Sequence, residues 1–244
     1  MIPLHKNIRF WVIIASLTAS IGIYGYVRLV VPAGPLQATQ LSQIYALTAL
    51  TLLYFALLAG PFCFAFRHLP HRGWYLRSRR ALGVSAFYFS CLHAYQAFFH
   101  QLGGFSGLGF LTPRYLIAIG FSLTALLLLA TLASTSFDRM IKWLTYRRWK
   151  LLHRLAYVIG VLVLLHAALI GTHFGNLRDP IPFTFFLGTA FLLILQARRI
   201  DFHLQRTFPH YFPRHVALGI TILLLIVYLS YVLISEQLSL QKFS

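Results

Sequence analysis

Residues 149–166 read WKLLHRLAYVIGVLVLLH, an apolar run bounded by basic and aromatic residues. It carries two histidines, His153 and His166, thirteen positions apart through a run of leucine, valine and isoleucine. Imidazole is costly in an apolar environment unless it finds a partner there. The interpretation of both histidines therefore depends on whether the surrounding medium is water or lipid.

The composition of the chain is that of a membrane protein. Of its 244 residues, 59% are hydrophobic and 10% are charged, with a mean hydropathy of +0.73, whereas soluble domains contain about 25% charged residues. An excess of 21 Lys and Arg over 4 acids would indicate nucleic-acid binding in a soluble protein. In short loops between membrane spans the same excess reports topology, so we predict the lipid bilayer as partner and no nucleic acid.

Seven segments approach the roughly 20 apolar residues that a spanning helix needs. They are residues 8–31, 41–66, 81–102, 115–133, 151–172, 181–197 and 216–235, of which the sixth is the shortest. Because Lys6 and Arg9 precede the first, a secretory signal is the alternative there; its apolar core exceeds the usual length of about 7–15 residues, which favours a retained helix. A further short interfacial helix is expected within 134–150.

The positive charges predict the orientation. Sixteen Lys and Arg residues fall in the N-terminus and in the 67–80, 134–150 and 198–215 loops, which share one side of a seven-span topology. The opposite side has four, namely Arg28, Arg114, Arg178 and Lys242. By the positive-inside rule we expect a cytoplasmic N-terminus and an outer C-terminus in a bacterial inner membrane.

Histidines concentrate in the third and fifth spans. His93 and His100 lie in one, His153 and His166 in the other, and His173 follows just beyond. Two imidazoles on facing helices can bind one haem iron inside a helical bundle. The alternative is a set of neutral imidazoles hydrogen-bonded to neighbouring carbonyls. For His100 and His173, simple interfacial positions compete with support of an outer propionate or of an acceptor-docking surface.

Depth along the helices suggests the pairing. At about 1.5 Å per residue, His166 lies about 20 Å beyond His153, and His93 lies about 20 Å beyond Arg80. An outer haem held by His93 and His166 follows, with His153 as an inner ligand that needs another partner. Thirteen residues leave His153 and His166 about 140° apart around a straight helix. Helix tilt or an irregularity near Gly160 is therefore required to bring both histidines to the haem side of the helix.

Two stretches carry a family resemblance: RSRRALGVSAFYFSCLH, residues 77–93, and TSFDRMIKWLTYRRWKLLHRLAYVIGVLVLLH, residues 135–166. Over about residues 45–197 the chain resembles the ferric reductase-like transmembrane domain family of NADPH oxidases, ferric reductases and the bacterial haem subunit MsrQ. The resemblance implies a six-helix bundle with two stacked b-type haems and with His93, His153 and His166 as axial ligands. Arg79 stands where the oxidases place a fourth histidine, as in the MsrQ-like branch. The identity of the ligand opposite His153 therefore stays open, as does the number of haems, one or two.

We expect three regions: 1–40, an N-terminal transmembrane helix and outer loop; 41–197, the haem-binding core; and 198–244, a cytoplasmic loop and a seventh C-terminal transmembrane helix. No glycine-rich dinucleotide fingerprint follows a strand, so flavin is expected only through a partner. The expected donor is a cytoplasmic flavin reductase or a membrane quinol. The expected acceptor is a periplasmic methionine sulfoxide reductase, ferric iron or oxygen.

Arginines in or near the spans are candidates to bind the haem propionates. Arg154 lies inside the fifth span beside His153, and a charge there needs a reason; we predict that it and Arg79 bind haem propionates. The four acids are far apart, and no carboxylate pair or Ser-His-Asp order is evident, so we predict no catalytic residues. The chain is expected to act as an electron-transfer oxidoreductase subunit. The alternative is a haem-free transporter or assembly subunit whose histidines are hydrogen-bonded core groups.

Overall fold

The computed structural model describes residues 8–171 and 179–241, with side chains to residue 230, and its elements in these ranges are helices. In chain order they are α1 (Ile8–Val30), α2 (Pro35–Ala65), α3 (Arg72–Tyr95), α4 (Phe105–Leu108), α5 (Pro113–Ser134), α6 (Asp138–Leu144), α7 (Tyr146–Leu152), α8 (Leu155–Ile170), α9 (Pro180–Thr207) and α10 (Val216–Gln241). A π-helical turn, Gln96–Gln101, extends α3.

Five helical segments are long and apolar enough to cross a membrane. They are Ile8–Val30, Pro35–Ala65, Pro113–Ser134, Tyr146–Ile170 and Pro180–Thr207. Helix α3 is more polar because four arginines fall within its first nine residues, and α10 contributes a shorter apolar stretch, Val216–Ser230. The prediction of an all-α integral membrane protein is confirmed. Helix α10 lies where the seventh span was predicted, and its crossing of the membrane stays a prediction.

Several helices continue past the predicted span ends. Helix α3 begins at Arg72 rather than at residue 81, and α9 continues to Thr207 rather than ending at 197. Residues 35–40, predicted as outer loop, belong to α2. Hydropathy marks only the part of a helix inside hydrocarbon, whereas residues such as Arg, Gln and Leu sustain the helix beyond it. The sixth span is therefore not the shortest helix.

The fifth span is interrupted, but not where the sequence suggested. Helix α7 ends at Leu152 and α8 begins at Leu155, so His153 and Arg154 form a turn between them, while α8 passes through Gly160 without a break. The predicted interfacial helix in 134–150 is α6 together with the start of α7. Thr145, at φ 63°, separates these two.

The chain divides into two compact units, and the first comprises the described residues of 1–59 and 70–176. Within it α1 packs on α3, α3 on α5, and α5 on α8. One buried cluster joins Leu53, Ala86, Leu129 and Ile159, from α2, α3, α5 and α8. A second cluster contains Val27, Leu41, Tyr45, Ala49 and Phe89. These apolar contacts fix the helices that carry His93 and His166.

The second unit comprises the described residues of 60–69 and 177–244. In it α9 packs on α10. Asp201 of α9, only 4% exposed, accepts hydrogen bonds from the backbone N–H groups of Ala217 at 2.7 Å and Leu218 at 3.0 Å. These N–H groups have no partner within the first turn of a helix, so Asp201 caps the N-terminus of α10 from a neighbouring helix.

Candidate functional site

The first unit brings together His93 of α3 and His166 of α8. Their ring centroids lie 6.4 Å apart and the ring planes are inclined by 71°. Both residues are half-buried. The two rings predicted to share a haem therefore lie close together, and their role as ligands of one haem stays a prediction.

Each imidazole of this pair is oriented by a neighbouring helix. The Nδ1 atom of His93 lies 3.0 Å from the carbonyl oxygen of Ser42 in α2 and 3.1 Å from its hydroxyl. The Nδ1 atom of His166 lies 3.0 Å from the carbonyl oxygen of Ala118 in α5. Because a carbonyl only accepts, both Nδ1 atoms carry the proton and donate it. Each Nε2 then keeps its lone pair, which is the tautomer that ligates metals.

The distance between the rings fits two ligands of one metal ion. An imidazole nitrogen bonds a transition metal at about 2 Å and lies about 1 Å from the ring centre, so opposed imidazoles place their centroids about 6 Å apart. Within residues 8–171 and 179–241 no cluster of three or more His, Cys, Asp or Glu side chains could complete a metal site. The pair therefore suits a metal that brings its own in-plane ligands, as haem iron does.

His153 has a different environment. Its ring packs on the indole of Trp149 with centroids 4.1 Å apart, and its Nε2 lies 3.4 Å from the Thr135 hydroxyl oxygen. The guanidinium groups of Arg79 and Arg80 lie close enough to act on it electrostatically. The structure thus pairs His153 with an indole and a hydroxyl, and its predicted role as an inner ligand stays a prediction.

A polar network that the sequence did not indicate surrounds Trp149. Arg80 stacks over the indole, its Cζ 4.8 Å from the ring centroid, and the indole N–H donates to the Thr135 carbonyl at 2.9 Å. Arg80 also pairs with Asp138 at 2.7 Å, and Arg9 pairs with the same carboxylate at 3.2 Å. Arg80 first, and then Arg9, holds the pKa of Asp138 below its ordinary value.

A polar cavity of about 180 Å³ is lined by residues of α1, of α2 and of the π-helical turn after α3. Leu41 lines it and precedes Ser42, which accepts from His93. Its polar lining residues are Arg28, Gln37, Gln96 and His100. Arg28 donates to the Gln37 side-chain oxygen at 3.0 Å and to the Tyr24 hydroxyl at 3.1 Å. His100 thus lies at a cavity. Ser42 and Ala118, which contact the two histidines, are residues that sequence reasoning missed.

The predicted propionate ligands occupy different positions. Arg79 is half-buried near His153, whereas Arg154 is exposed at the turn between α7 and α8. Neither role is tested by these positions. His173 lies outside the described residues. So do Arg178 and Lys242, two of the four charges assigned to the outer side in the predicted topology.

The fold and the site define a multi-pass, all-α membrane protein in which two spans present a pair of preoriented imidazoles. A family model described as "Ferric reductase like transmembrane component" matches residues 42–164, which is half of the chain. The chain belongs to this family, and the resemblance expected from residues 77–93 and 135–166 is confirmed.

Curated relatives include several described as the protein-methionine-sulfoxide reductase heme-binding subunit MsrQ. The protein of Herminiimonas arsenicoxydans is 37% identical over 134 residues, 54% of this chain and 59% of that protein. The protein of Ralstonia nicotianae is 38% identical over 102 residues, which are 41% of this chain and 46% of that protein. The magnetosome protein MamZ of Paramagnetospirillum magneticum is 39% identical over 97 residues, which are 39% of this chain and 15% of that protein. The chain spans about half the length of the MsrQ relatives it matches. No solved structure gives a significant match.

Proposed function

We propose that this protein is a haem b-binding membrane subunit that carries electrons from a cytoplasmic donor to an acceptor on the outer side. The observation that carries the proposal is the geometry of the pair, in which His93 and His166 have centroids 6.4 Å apart and both Nδ1 atoms face backbone carbonyls. Core histidines on two helices that needed only a carbonyl partner would not have to lie this close to each other.

The chain's own residues would bind, orient and enclose the cofactor. His93 and His166 would hold the haem iron, and the carbonyls of Ser42 and Ala118 would fix the ring orientation and raise the basicity of each Nε2. When bound, haem iron alternates between the ferrous and ferric states and so accepts one electron at a time. Buried apolar residues of α2, α3, α5 and α8 would exclude water from the pair.

Charged residues would receive the cofactor's carboxylates. Arg28, in the polar cavity that Leu41 and Gln96 also line, is suited to such a group, because a guanidinium binds carboxylates by directed hydrogen bonds. On the arginine-rich side we retain Arg79 and Arg154 as propionate ligands and His153 as the ligand of an inner haem. One haem is supported by a facing pair of imidazoles, whereas the second lacks a described partner for His153.

The relatives support the choice of acceptor. Relatives such as those of Herminiimonas arsenicoxydans and Ralstonia nicotianae are described as heme-binding subunits of a protein-methionine-sulfoxide reductase, so we propose such a reductase as the outer-side acceptor. Ferric iron is the second candidate, since the family is named for ferric reductases. We propose a separate flavin reductase or a membrane quinol as donor, and the inner membrane as location.

A reduced-minus-oxidised absorption spectrum of the purified protein tests the proposal, together with haem quantified per polypeptide. We expect b-type bands after dithionite reduction and at least one haem per chain. A flat difference spectrum, after expression with haem precursor supplied, would contradict the proposal and favour a haem-free transporter or assembly subunit.

A further inference from the structure

The second unit contains a cavity of about 460 Å³ at the arginine-bearing ends of α2 and α9. Such a volume is within the range of small-ligand sites. The cavity is lined by Phe64, Ala65, Arg67, Ile194, Leu195, Arg198, Phe202 and Leu218. Six of these eight residues are apolar, and the other two are arginines. The site lies apart in sequence from every residue assigned above to haem.

Aromatic contacts position one of the arginines. The Cζ atom of Arg67 lies 5.7 Å from the ring centroids of both Phe64 and Phe202, and these two rings contact each other at 5.2 Å. Cation–π contacts of this kind hold the guanidinium plane while leaving its N–H groups able to bind another group. Arg67 is exposed, so its donors can be reached.

The second arginine supplies a further charge on the same wall. Arg198 precedes Phe202 by one helical turn on α9 and is also exposed. The acid nearest to it in sequence, Asp201, is buried and accepts from the N–H groups of Ala217 and Leu218. Its carboxylate is therefore committed to capping α10, and the two arginines give the cavity a positive character.

We propose that this cavity binds one anionic phospholipid, with the head-group phosphate on Arg67 and Arg198 and an acyl chain along Ile194, Leu195 and Leu218. Basic pockets between membrane helices recognise anionic head groups in this way, and phosphate oxygens make charge-assisted hydrogen bonds to guanidinium groups. A free phosphate would leave the apolar wall unfilled. A zwitterionic lipid would bring a positive group towards two arginines.

Lipid binding by the full-length protein in detergent tests the proposal. Native mass spectrometry and thermal unfolding would compare added dioleoylphosphatidylglycerol, dioleoylphosphatidylcholine and inorganic phosphate. We expect phosphatidylglycerol alone to be retained and to raise the melting temperature. Equal effects of phosphatidylcholine would overturn the charge argument, and equal effects of phosphate would overturn the lipid as occupant.

Variants locate the lipid. The double variant Arg67→Gln/Arg198→Gln should bind phosphatidylglycerol about ten-fold more weakly. The matched control Arg147→Gln/Arg148→Gln, which removes two exposed charges from α7, should bind it normally. Because Arg67 also contacts two rings, Ala65→Trp provides a second route: it fills the cavity, keeps both charges and should weaken binding as well. Unchanged binding in both cavity variants would overturn the site.

Discussion

At the scale of single residues, the site depends on two backbone carbonyls. The depth argument located His93 and His166, because helical rise converts spacing into height. It could not locate Ser42 or Ala118, since any residue type offers a carbonyl and only the packing of α2 and α5 decides which one is in reach. The orientation of a ligand is thus a tertiary property even when the ligand itself is evident in the sequence.

Asp138 gives a residue-scale prediction about pH. Since Arg80 and Arg9 lower the pKa of its carboxyl, its stabilising contribution is complete above its ordinary pKa of about 4 and is lost as pH falls through the lowered value. Asp138→Asn should therefore reduce stability at pH 7, by at most about 1 kcal/mol because the pair is exposed. The deficit should shrink below pH 4.

Thermal unfolding of both proteins at pH 7 and in the acid range measures this difference. Asp179→Asn is the matched control, since Asp179 begins α9 without a side-chain capping bond. A deficit that stays constant into the acid range would show that the network around Asp138 does not act through its charge.

At the scale of elements, helix positions were predictable and helix ends were not. The apolar runs indicated where α1, α2, α5 and α9 cross the membrane, whereas the extension of α9 to Thr207 lies in polar sequence without a hydropathy signal. The turn at His153 and Arg154 had no Pro or Gly to mark it. The angle between His153 and His166 required helix tilt or an irregularity near Gly160; the span does contain an irregularity, at His153 and Arg154 rather than at Gly160.

Gly160 gives a prediction about helix packing. A Cβ at this position would meet the Leu57 side chain at 3.1 Å, so a large residue overpacks the contact between α8 and α2. Gly160→Leu should lower the free energy of unfolding by about 1–3 kcal/mol. Gly120→Leu in α5, where nothing lies within 4 Å, should be neutral or stabilising because leucine favours helix.

Melting temperatures of the two glycine variants, purified in the same detergent, measure this contrast. If Gly120→Leu is destabilised as much as Gly160→Leu, the close approach of Leu57 is not the cause.

Asp201 gives a prediction about the start of α10. Removing both acceptors by Asp201→Ala should cost about 1–2 kcal/mol, the size of a lost helix cap, and should expose residues 208–215 to protease. Asp201→Asn keeps one acceptor oxygen and should lower the free energy of unfolding by less. Limited proteolysis with thermal unfolding measures both effects, and equal behaviour of wild type and Asp201→Ala would mean that the two short hydrogen bonds to Ala217 and Leu218 are not needed.

At the scale of the whole molecule, composition and loop charge are the strongest sequence signals. Hydropathy alone predicted an all-α membrane protein, and the sequence motifs around His93 and His153 were sufficient to indicate its family. The network around Asp138 and the arginine-lined cavity in the second unit were not predictable, because each joins residues that are distant in sequence through tertiary packing.

Topology gives a prediction at this scale. Thr207→Cys, at the arginine-rich end of α9, should resist a membrane-impermeant maleimide added to intact cells, whereas Ser106→Cys, in the short helix α4, should be labelled. The distribution of Lys and Arg requires this result by the positive-inside rule. Both positions are exposed, so labelling reports sidedness, and the reverse pattern would invert the proposed direction of electron transfer.

The central claim is that His93 and His166 hold one and the same haem. Haem content and the reduced-minus-oxidised spectrum of purified His93→Ala, His166→Ala and the exposed control His203→Ala test it most directly. We expect either ligand variant to lose the same spectral species, the double variant to lose no more, and His203→Ala to retain the wild-type spectrum. Full haem content with an unchanged spectrum in His93→Ala or His166→Ala would contradict it.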